Sequence, residues 1–338
     1  MLPPLQLGEV LRGRYKISSY VGHGGMGSIY QAEDLRLEGR LCAIKEVQND
    51  AALPPDTQQQ ARDQFYREAS ILARLDHPNL PKVSDFFSSG DRDYLVMDFV
   101  PGKDLRAMVA EARQAGQFLA EAEVLGWANQ LADALEYLHR QDSPIVHRDI
   151  KPSNLKVTPS GLLKLVDFGL VKQLAADERT VTIIQGVGTA YYTPLEQYGG
   201  DTGHTDVRTD IYSFGATLYH LLTNEPPTEA KTRFLRADAQ RPVRAINPAV
   251  SASTEQAVAW AMALHPDDRP PDVPTLRAAL QSATGNGLRV RAEGESFVVQ
   301  PTIRLPNLAS RTDRYLAFAA AGLFLVALLL TLFPIPLR

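Results

Sequence analysis

Cysteine is nearly absent. Cys42 is the only one in 338 residues, which excludes an internal disulfide and a cysteine-ligated structural metal. Excess positive charge is missing too: 35 Lys and Arg against 39 Asp and Glu give a formal net charge of -4. The strongly basic domain of a nucleic-acid binder is therefore lacking, and no nucleic-acid partner is expected. The first twenty residues hold no continuous apolar stretch of the signal-peptide kind, so the folded part is expected to stay in a reducing cytosol. No repeat of solenoid period occurs. What is there is ordinary globular material, 44% hydrophobic and 22% charged. The length suits one large bilobed domain plus a tail.

Periodicity divides the chain. Short extended runs, Tyr15–Ile17 and Leu41–Val47, flank a glycine-rich turn. Gln58 to Leu75 predicts a helix, with Phe65, Ile71, Leu72 and Leu75 at helical spacing and His77-Pro78 as breaker. Val83–Phe87 and Tyr94–Val100 predict two more strands. From about residue 104 the pattern is mainly helical, clearest over Val124 to His139 and continuing through 211–223, 253–264 and 274–282. A small β-rich lobe thus precedes a larger helical one, with Pro101-Gly102 near the junction, and clefts between such units are common ligand sites.

Residues 283–312 are mixed and polar, with a hairpin expected around Ala292-Glu293-Gly294-Glu295. Tyr315 to Phe333 follows without a charge and is long enough to cross a bilayer. Arg304, Arg311 and Arg314 precede it and Arg338 alone follows. By the positive-inside rule the folded part faces the cytosol. The expectation is a single-pass cell-membrane protein with a short tail, 334–338, that leaves no room for an external sensor.

The first chemical motif is Gly22-His23-Gly24-Gly25-Met26-Gly27-Ser28-Ile29. Glycines let backbone approach a phosphate closely, because no Cβ intervenes. A plain turn or a dinucleotide fold shares this spacing, but the dinucleotide fold wants a helix next. Here Ile29-Tyr30 and Leu41–Val47 read as extended, and Lys45 follows in Ala43-Ile44-Lys45. Residues 147–154 then read His-Arg-Asp-Ile-Lys-Pro-Ser-Asn, and 167–169 read Asp-Phe-Gly. With these the chain resembles the protein kinase superfamily, most of all the bacterial serine/threonine kinases of eukaryotic (Hanks) type. The likeness spans residues 12–282 and includes motif order.

The resemblance implies an α+β, bilobed protein kinase fold (N-lobe about 12–100, C-lobe about 101–282), a 283–314 linker and the 315–333 membrane helix. It implies ATP and Mg²⁺, with Mn²⁺ as an alternative, and protein substrates. Lys45 would hold the α- and β-phosphates, itself held by Glu68 from the helix, although most helix glutamates are simply solvated. Asp149 would orient the attacking hydroxyl, Lys151 would sit near the γ-phosphate, and Asn154 and Asp167 would supply oxygen ligands to the metal. Lys151 favours Ser or Thr acceptors. Val21, Gly22, Gly24, Gly25, Gly27, Ile29 and Ala43 would cover the nucleotide, and Met97, Asp98 and Val100 would border the adenine. Leu72, His147 and Phe168 match positions stacked between lobes, where His147 is structural rather than chemical.

Thr180 and Thr182 lie in the activation segment. Autophosphorylation there would add a charge of about -1.5 to -2 and pair with Arg148, and with Lys172 as a second cation. Thr189 resembles the threonine that contacts the catalytic loop. The usual Ala-Pro-Glu is here Pro194-Leu195-Glu196, which touches peptide docking rather than phosphoryl transfer. Arg269 is the expected ion-pair partner of Glu196, and Asp210 the expected brace of the catalytic loop. Two rivals stand against this reading: a pseudokinase scaffold and a small-molecule phosphotransferase. Lys45, Asp149, Asn154 and Asp167 are all kept, against the first; the full 147–154 run and the threonine-bearing segment oppose the second. Whether two copies pair through the tail is left open.

Overall fold

A computed structural model describes residues 3–24, 27–48, 54–167, 189–198, 205–236 and 238–282. Contacts divide the chain into two units, Met1–Gly287 and Leu288–Arg338, and every described residue lies in the first. The hairpin and membrane-helix expectations, like Gly25, Phe168, Lys172, Thr180 and Thr182, fall outside the described residues. Among the described residues no helix is long and apolar enough to cross a membrane.

The N-terminal part is an antiparallel sheet built from β1 (Val10–Leu11), β2 (Tyr15–Gly24), β3 (Gly27–Asp34), β4 (Leu41–Gln48), β5 (Val83–Ser89) and β6 (Arg92–Asp98), in the order β1-β2-β3-β4-β6-β5. Strand alternation decides which residues meet the cleft. On β4, Cys42 and Ile44 join Tyr15, Ile17, Tyr30, Tyr94 and Val96 in a core on one face of the sheet. Ala43 and Val47 pack against the other core, and Lys45 shares their parity. That second core runs from Phe65, Ala69 and Leu72 on α1 (Pro55–Leu72) through Leu95 and Met97 of β6 into the helical part.

Helix α1 starts three residues before the expected Gln58 because Pro55, with its φ already helical, fits the first turn. It ends at Leu72, after which Arg74 and Leu75 donate to the carbonyls of Ile71 and Leu72 and tighten the turn ahead of His77-Pro78.

The C-terminal part comprises α2 (Leu105–Gln114), α3 (Glu121–His139), α4 (Val207–Thr223), α5 (Ala230–Leu235), α6 (Val243–Ile246), α7 (Ala252–Ala261) and α8 (Val273–Ser282). A small sheet of β7 (Lys103–Asp104), β8 (Leu155–Val157) and β9 (Leu163–Leu165) adjoins them. Helix α3 also begins before its apolar stripe, since Glu121 and Glu123 occupy the first turn, where the helix dipole favours acids, and His139 the last. Helix α4 is buried on nearly every face, as an all-round apolar helix in a core should be. Asp206 caps its start by accepting from Arg208 N at 2.8 Å, and Asn224 ends it in the left-handed region at φ 58°. The expected strands and long helices are all present, with ends shifted by a few residues.

Candidate active site

A cleft of about 750 Å³ lies where the strands of the first sheet face the small second sheet, within the usual range for a small-molecule site. Val21, Gly22, Ile29, Ala43, Met97, Asp98 and Val100 line it, together with Lys45, Lys151, Asn154 and Asp167. Nearly every described residue expected at the nucleotide is therefore in one cavity. Register explains part of this: Lys45 pairs with Ile29 across β3 and with Leu95 across β6, and Ala43 pairs with Met97.

Gly27 pairs with Gly24 where β2 turns into β3. Its φ is 150°, and a Cβ there would stand 1.9 Å from the Glu46 carbonyl oxygen. Only glycine lets the turn lie this close to β4. Gly22 is different, for a Cβ there meets nothing within 4 Å. Gly27→Ala should therefore destabilise the chain by about 1–3 kcal/mol and reduce the thermal shift given by Mg-ATP, whereas Gly22→Ala should keep the fold; melting curves with and without nucleotide check this.

The catalytic-loop run folds around a short turn, Pro152–Asn154. Lys151 Nζ donates to Asp149 Oδ2 at 2.9 Å and to Thr189 Oγ1 at 3.0 Å. Asn154 Nδ2 donates to Asp149 Oδ2 at 2.9 Å and to the Asp149 carbonyl at 2.8 Å. Asp149 Oδ1 lies 2.9 Å from the same ammonium but outside hydrogen-bond geometry, and it has no hydrogen-bond partner. One carboxylate oxygen is thus anchored and the other is left able to accept. Thr189 meets the loop as expected, and its own carbonyl takes the Thr193 hydroxyl at 2.9 Å.

The loop is braced from beneath by Asp210, fully buried on α4. Its carboxylate accepts the backbone N–H of His147 and of Arg148, each at 2.8 Å, and contacts His139 Nε2 at 2.9 Å. Burial works to raise the Asp210 carboxyl, but the hydrogen bond and charge of His139, with His147 beyond, hold it below the ordinary value. Arg148 takes a left-handed backbone, φ 64°, a strain that the two bonds to Asp210 offset. Burial lowers the His147 imidazole, consistent with a neutral packing residue. Glu196 and Arg269 form the expected buried pair, at 2.6 and 3.0 Å.

Asp167 also sits at positive φ, 59°, and makes an ion pair and hydrogen bond with Lys45. Burial pushes the Asp167 carboxyl up, but the Lys45 charge outweighs it and the carboxyl is held below its ordinary value. This corrects the expected Lys45–Glu68 pair. Among the described residues no ion pair joins these two; the Lys45 ammonium is directed to Asp167. Glu68 is buried, its Oε1 accepts from Gln64 Nε2 at 2.9 Å one turn earlier, and its charge is felt at the Arg148 guanidinium. A carboxylate turned toward the cleft by the backbone of Asp167 takes the cation in place of one on α1.

Asn154 and Asp167 offer one amide oxygen and one carboxylate, hard donors too few for an all-protein cage. That set fits a small divalent cation that keeps waters and takes phosphate oxygens. Among the described residues no group of three His, Cys, Asp or Glu could hold a metal by itself.

Two contributors escaped the sequence reading. Asn79 is buried, donates to the Leu163 carbonyl at 2.7 Å and accepts from Leu165 N at 2.8 Å, tying the loop after α1 to the strand that delivers Asp167. Its only signal was its place beside His77-Pro78. Gly102, at φ 108°, would put a Cβ 2.0 Å from the Val157 carbonyl and so lets the segment after Val100 press onto β8.

Comparison with known proteins agrees with this geometry. Residues 15–279 match the family described as "Protein kinase domain". "Probable serine/threonine-protein kinase PknB" of Corynebacterium glutamicum is 31% identical over 92% of this chain and 48% of its own length. The protein of the same name from Bifidobacterium longum is 39% identical over 64% of this chain and 31% of its own. The chain spans about a third to a half of the length of the curated relatives it matches. The crystal structure of the Mycobacterium tuberculosis PknI kinase domain is 25% identical, with a TM-score of 0.63 over 84% of this chain and all of that one. The apo form of PpkA-294 is 28% identical, with a TM-score of 0.64 over 82% and 99%. With the strand-held lysine, the anchored loop aspartate and most of its length matched to one family, this chain belongs to the protein kinases.

Proposed function

We propose that the chain is a serine/threonine protein kinase that transfers the γ-phosphate of ATP to hydroxyls of proteins. The observation that carries this is Asp149: Lys151 and Asn154 fix one of its oxygens, and Oδ1 is left without a hydrogen bond. That oxygen can accept from a serine or threonine hydroxyl and take its proton as the O–Pγ bond forms and the bond to the β-phosphate oxygen breaks. Phosphoryl transfer asks mainly for positioning and charge neutralisation. Asn154 and Asp167 would hold Mg²⁺, which when bound supplies neutralisation of the phosphate oxygens. Lys45, buried in the same cleft, would shift its charge from Asp167 to the α- and β-phosphates. Lys151, spanning Asp149 and Thr189, would steady the γ-phosphate beside the acceptor.

The relatives' names support hydroxyl acceptors on protein. A lysate given Mg-ATP carrying labelled γ-phosphate separates the readings. Label on protein serine and threonine is expected. Label on small molecules alone, or none, would contradict it and favour the phosphotransferase or the pseudokinase.

We extend the proposal to the tail and the activation segment. Residues 315–333 anchor the chain in the cell membrane with the kinase domain in the cytoplasm, supported by the uncharged run and the arginines before it. Copies confined to one bilayer phosphorylate each other on Thr180 or Thr182, and Arg148 receives the added charge. Membrane fractionation with and without residues 315–338 tests the anchor, equal solubility being the contrary result. Mass spectrometry of chain incubated with Mg-ATP tests the threonines; an unmodified segment in an active sample is the contrary one.

A further inference from the structure

The cleft continues past the nucleotide residues to Arg106, Tyr191, Tyr192, His220 and Pro226. This end, beside Thr189 and Lys151, is where a protein substrate would lie. Its charges do not balance. Each carboxylate lining the cleft already has a partner: Asp167 with Lys45, Asp98 with Arg40 at 3.2 Å, and Asp104 with Ala107 N at 2.8 Å and the nearby charge of Lys156. Lys151 is held by Asp149, and Lys156 lies over the Phe99 ring. Arg106 makes no ion pair or hydrogen bond among the described residues and is exposed.

The wall opposite supplies no compensating anion. Tyr192 and His220 join at 2.6 Å. Burial raises the Tyr192 hydroxyl and lowers the His220 imidazole to about 4, so near neutrality a neutral hydroxyl donates to a neutral Nδ1. Arg106 and Arg113 lie close enough for their charges to act on this pair, and seven residues apart they share a face of α2. Arg113, in the last turn, is favoured by the helix dipole. Arg106 follows directly on the first residue of α2, where the dipole disfavours a cation. Helix stability therefore does not account for Arg106.

We infer that Arg106 reads a carboxylate of the protein substrate, so that the kinase prefers serines and threonines with an acidic neighbour. The inference rests on the kinase reading of the same site and adds its substrate class. Guanidinium geometry suits a carboxylate held by two parallel hydrogen bonds. Complementary charge at a cleft mouth acts first on encounter and selection of partners.

The test uses the full chain, Mg-ATP and peptides centred on one serine or threonine, with Glu, Gln or Lys scanned through the flanking positions. At one or more positions Glu should raise kcat/KM about tenfold over Lys, mainly through KM. Arg106→Glu should reverse that order while leaving the Gln series near wild type, with Arg113→Glu having a smaller effect. Equal rates for the three series with wild type would overturn the inference, as would an acidic preference that survives Arg106→Glu. Loss of all three series in Arg106→Glu at an unchanged melting temperature would also overturn it, assigning Arg106 a role other than selection. If wild type labels no peptide or protein at all, the kinase reading itself fails, and the inference with it.

Discussion

Replacing Arg269 by alanine should lower the unfolding temperature by about 10 °C, the largest stability loss expected from one surface-distant change. The Arg269 side chain is fully buried and bonds Glu196 through two nitrogens. It also donates to the carbonyls of Ala263 at 2.8 Å, Arg208 at 3.0 Å and Leu264 at 2.9 Å, and it lies over the Tyr212 ring. Truncation leaves Glu196 in the interior with only the Thr209 hydroxyl, at 3.1 Å, and orphans three carbonyls. Breaking one side of a buried pair costs about 3–5 kcal/mol, and about 2–4 °C per kcal/mol follows for a domain of this size. Glu196→Gln should cost less, because an amide oxygen still accepts from the guanidinium. Thermal unfolding followed by circular dichroism decides it; a shift of Arg269→Ala no greater than that of Glu196→Gln would contradict this account of the pair.

The second large effect is on activity. Asp167→Asn should fold, because its partner Lys45 reaches the cleft and can be hydrated there. It should nevertheless lower phosphoryl transfer on the order of 10²–10³, the usual loss when one charge-stabilising group is removed from a preorganised site. The mechanism predicts a second signature. Wild-type chain should bind ATP more tightly as Mg²⁺ is raised, and Asp167→Asn should lose most of that dependence, since a single amide pair is a poor site for a hard dication. Calorimetric titration with ATP at several Mg²⁺ concentrations measures it. Equal Mg²⁺ dependence in both proteins would remove Asp167 from the metal site.

How much of this could be read before the structure depends on how local each interaction is. The catalytic loop packs its chemistry into eight consecutive residues, and Lys151, Asn154 and Asp149 close on each other within that run; such contacts survive any error in helix boundaries. Asp210 and Arg269 lie far away in sequence but occupy motif positions, and their partners follow the family pattern. The Lys45–Glu68 pair fails because motif spacing places a glutamate on a helix face without choosing the direction of its side chain. Two carboxylates compete for one ammonium, and Asp167 holds it. Asn79, Gly102 and Arg106 act through strands and helices brought together only by the tertiary fold, and no periodicity marks them. Helix starts moved for a plainer reason: the first turns of α1 and α3 carry Pro55 and Glu121, chosen for the helix end rather than the core.

The account stands on the Asp149 carboxylate as the group that meets the acceptor hydroxyl. Its most direct test is transfer of labelled γ-phosphate to protein serine and threonine by wild type and by Asp149→Asn, at matched melting temperature and matched Mg-ATP affinity. The account predicts that the variant keeps the nucleotide and loses at least about a hundredfold in transfer, the lower end expected for a positioned general base. Transfer by Asp149→Asn at the wild-type rate, with the nucleotide equally bound, would contradict it.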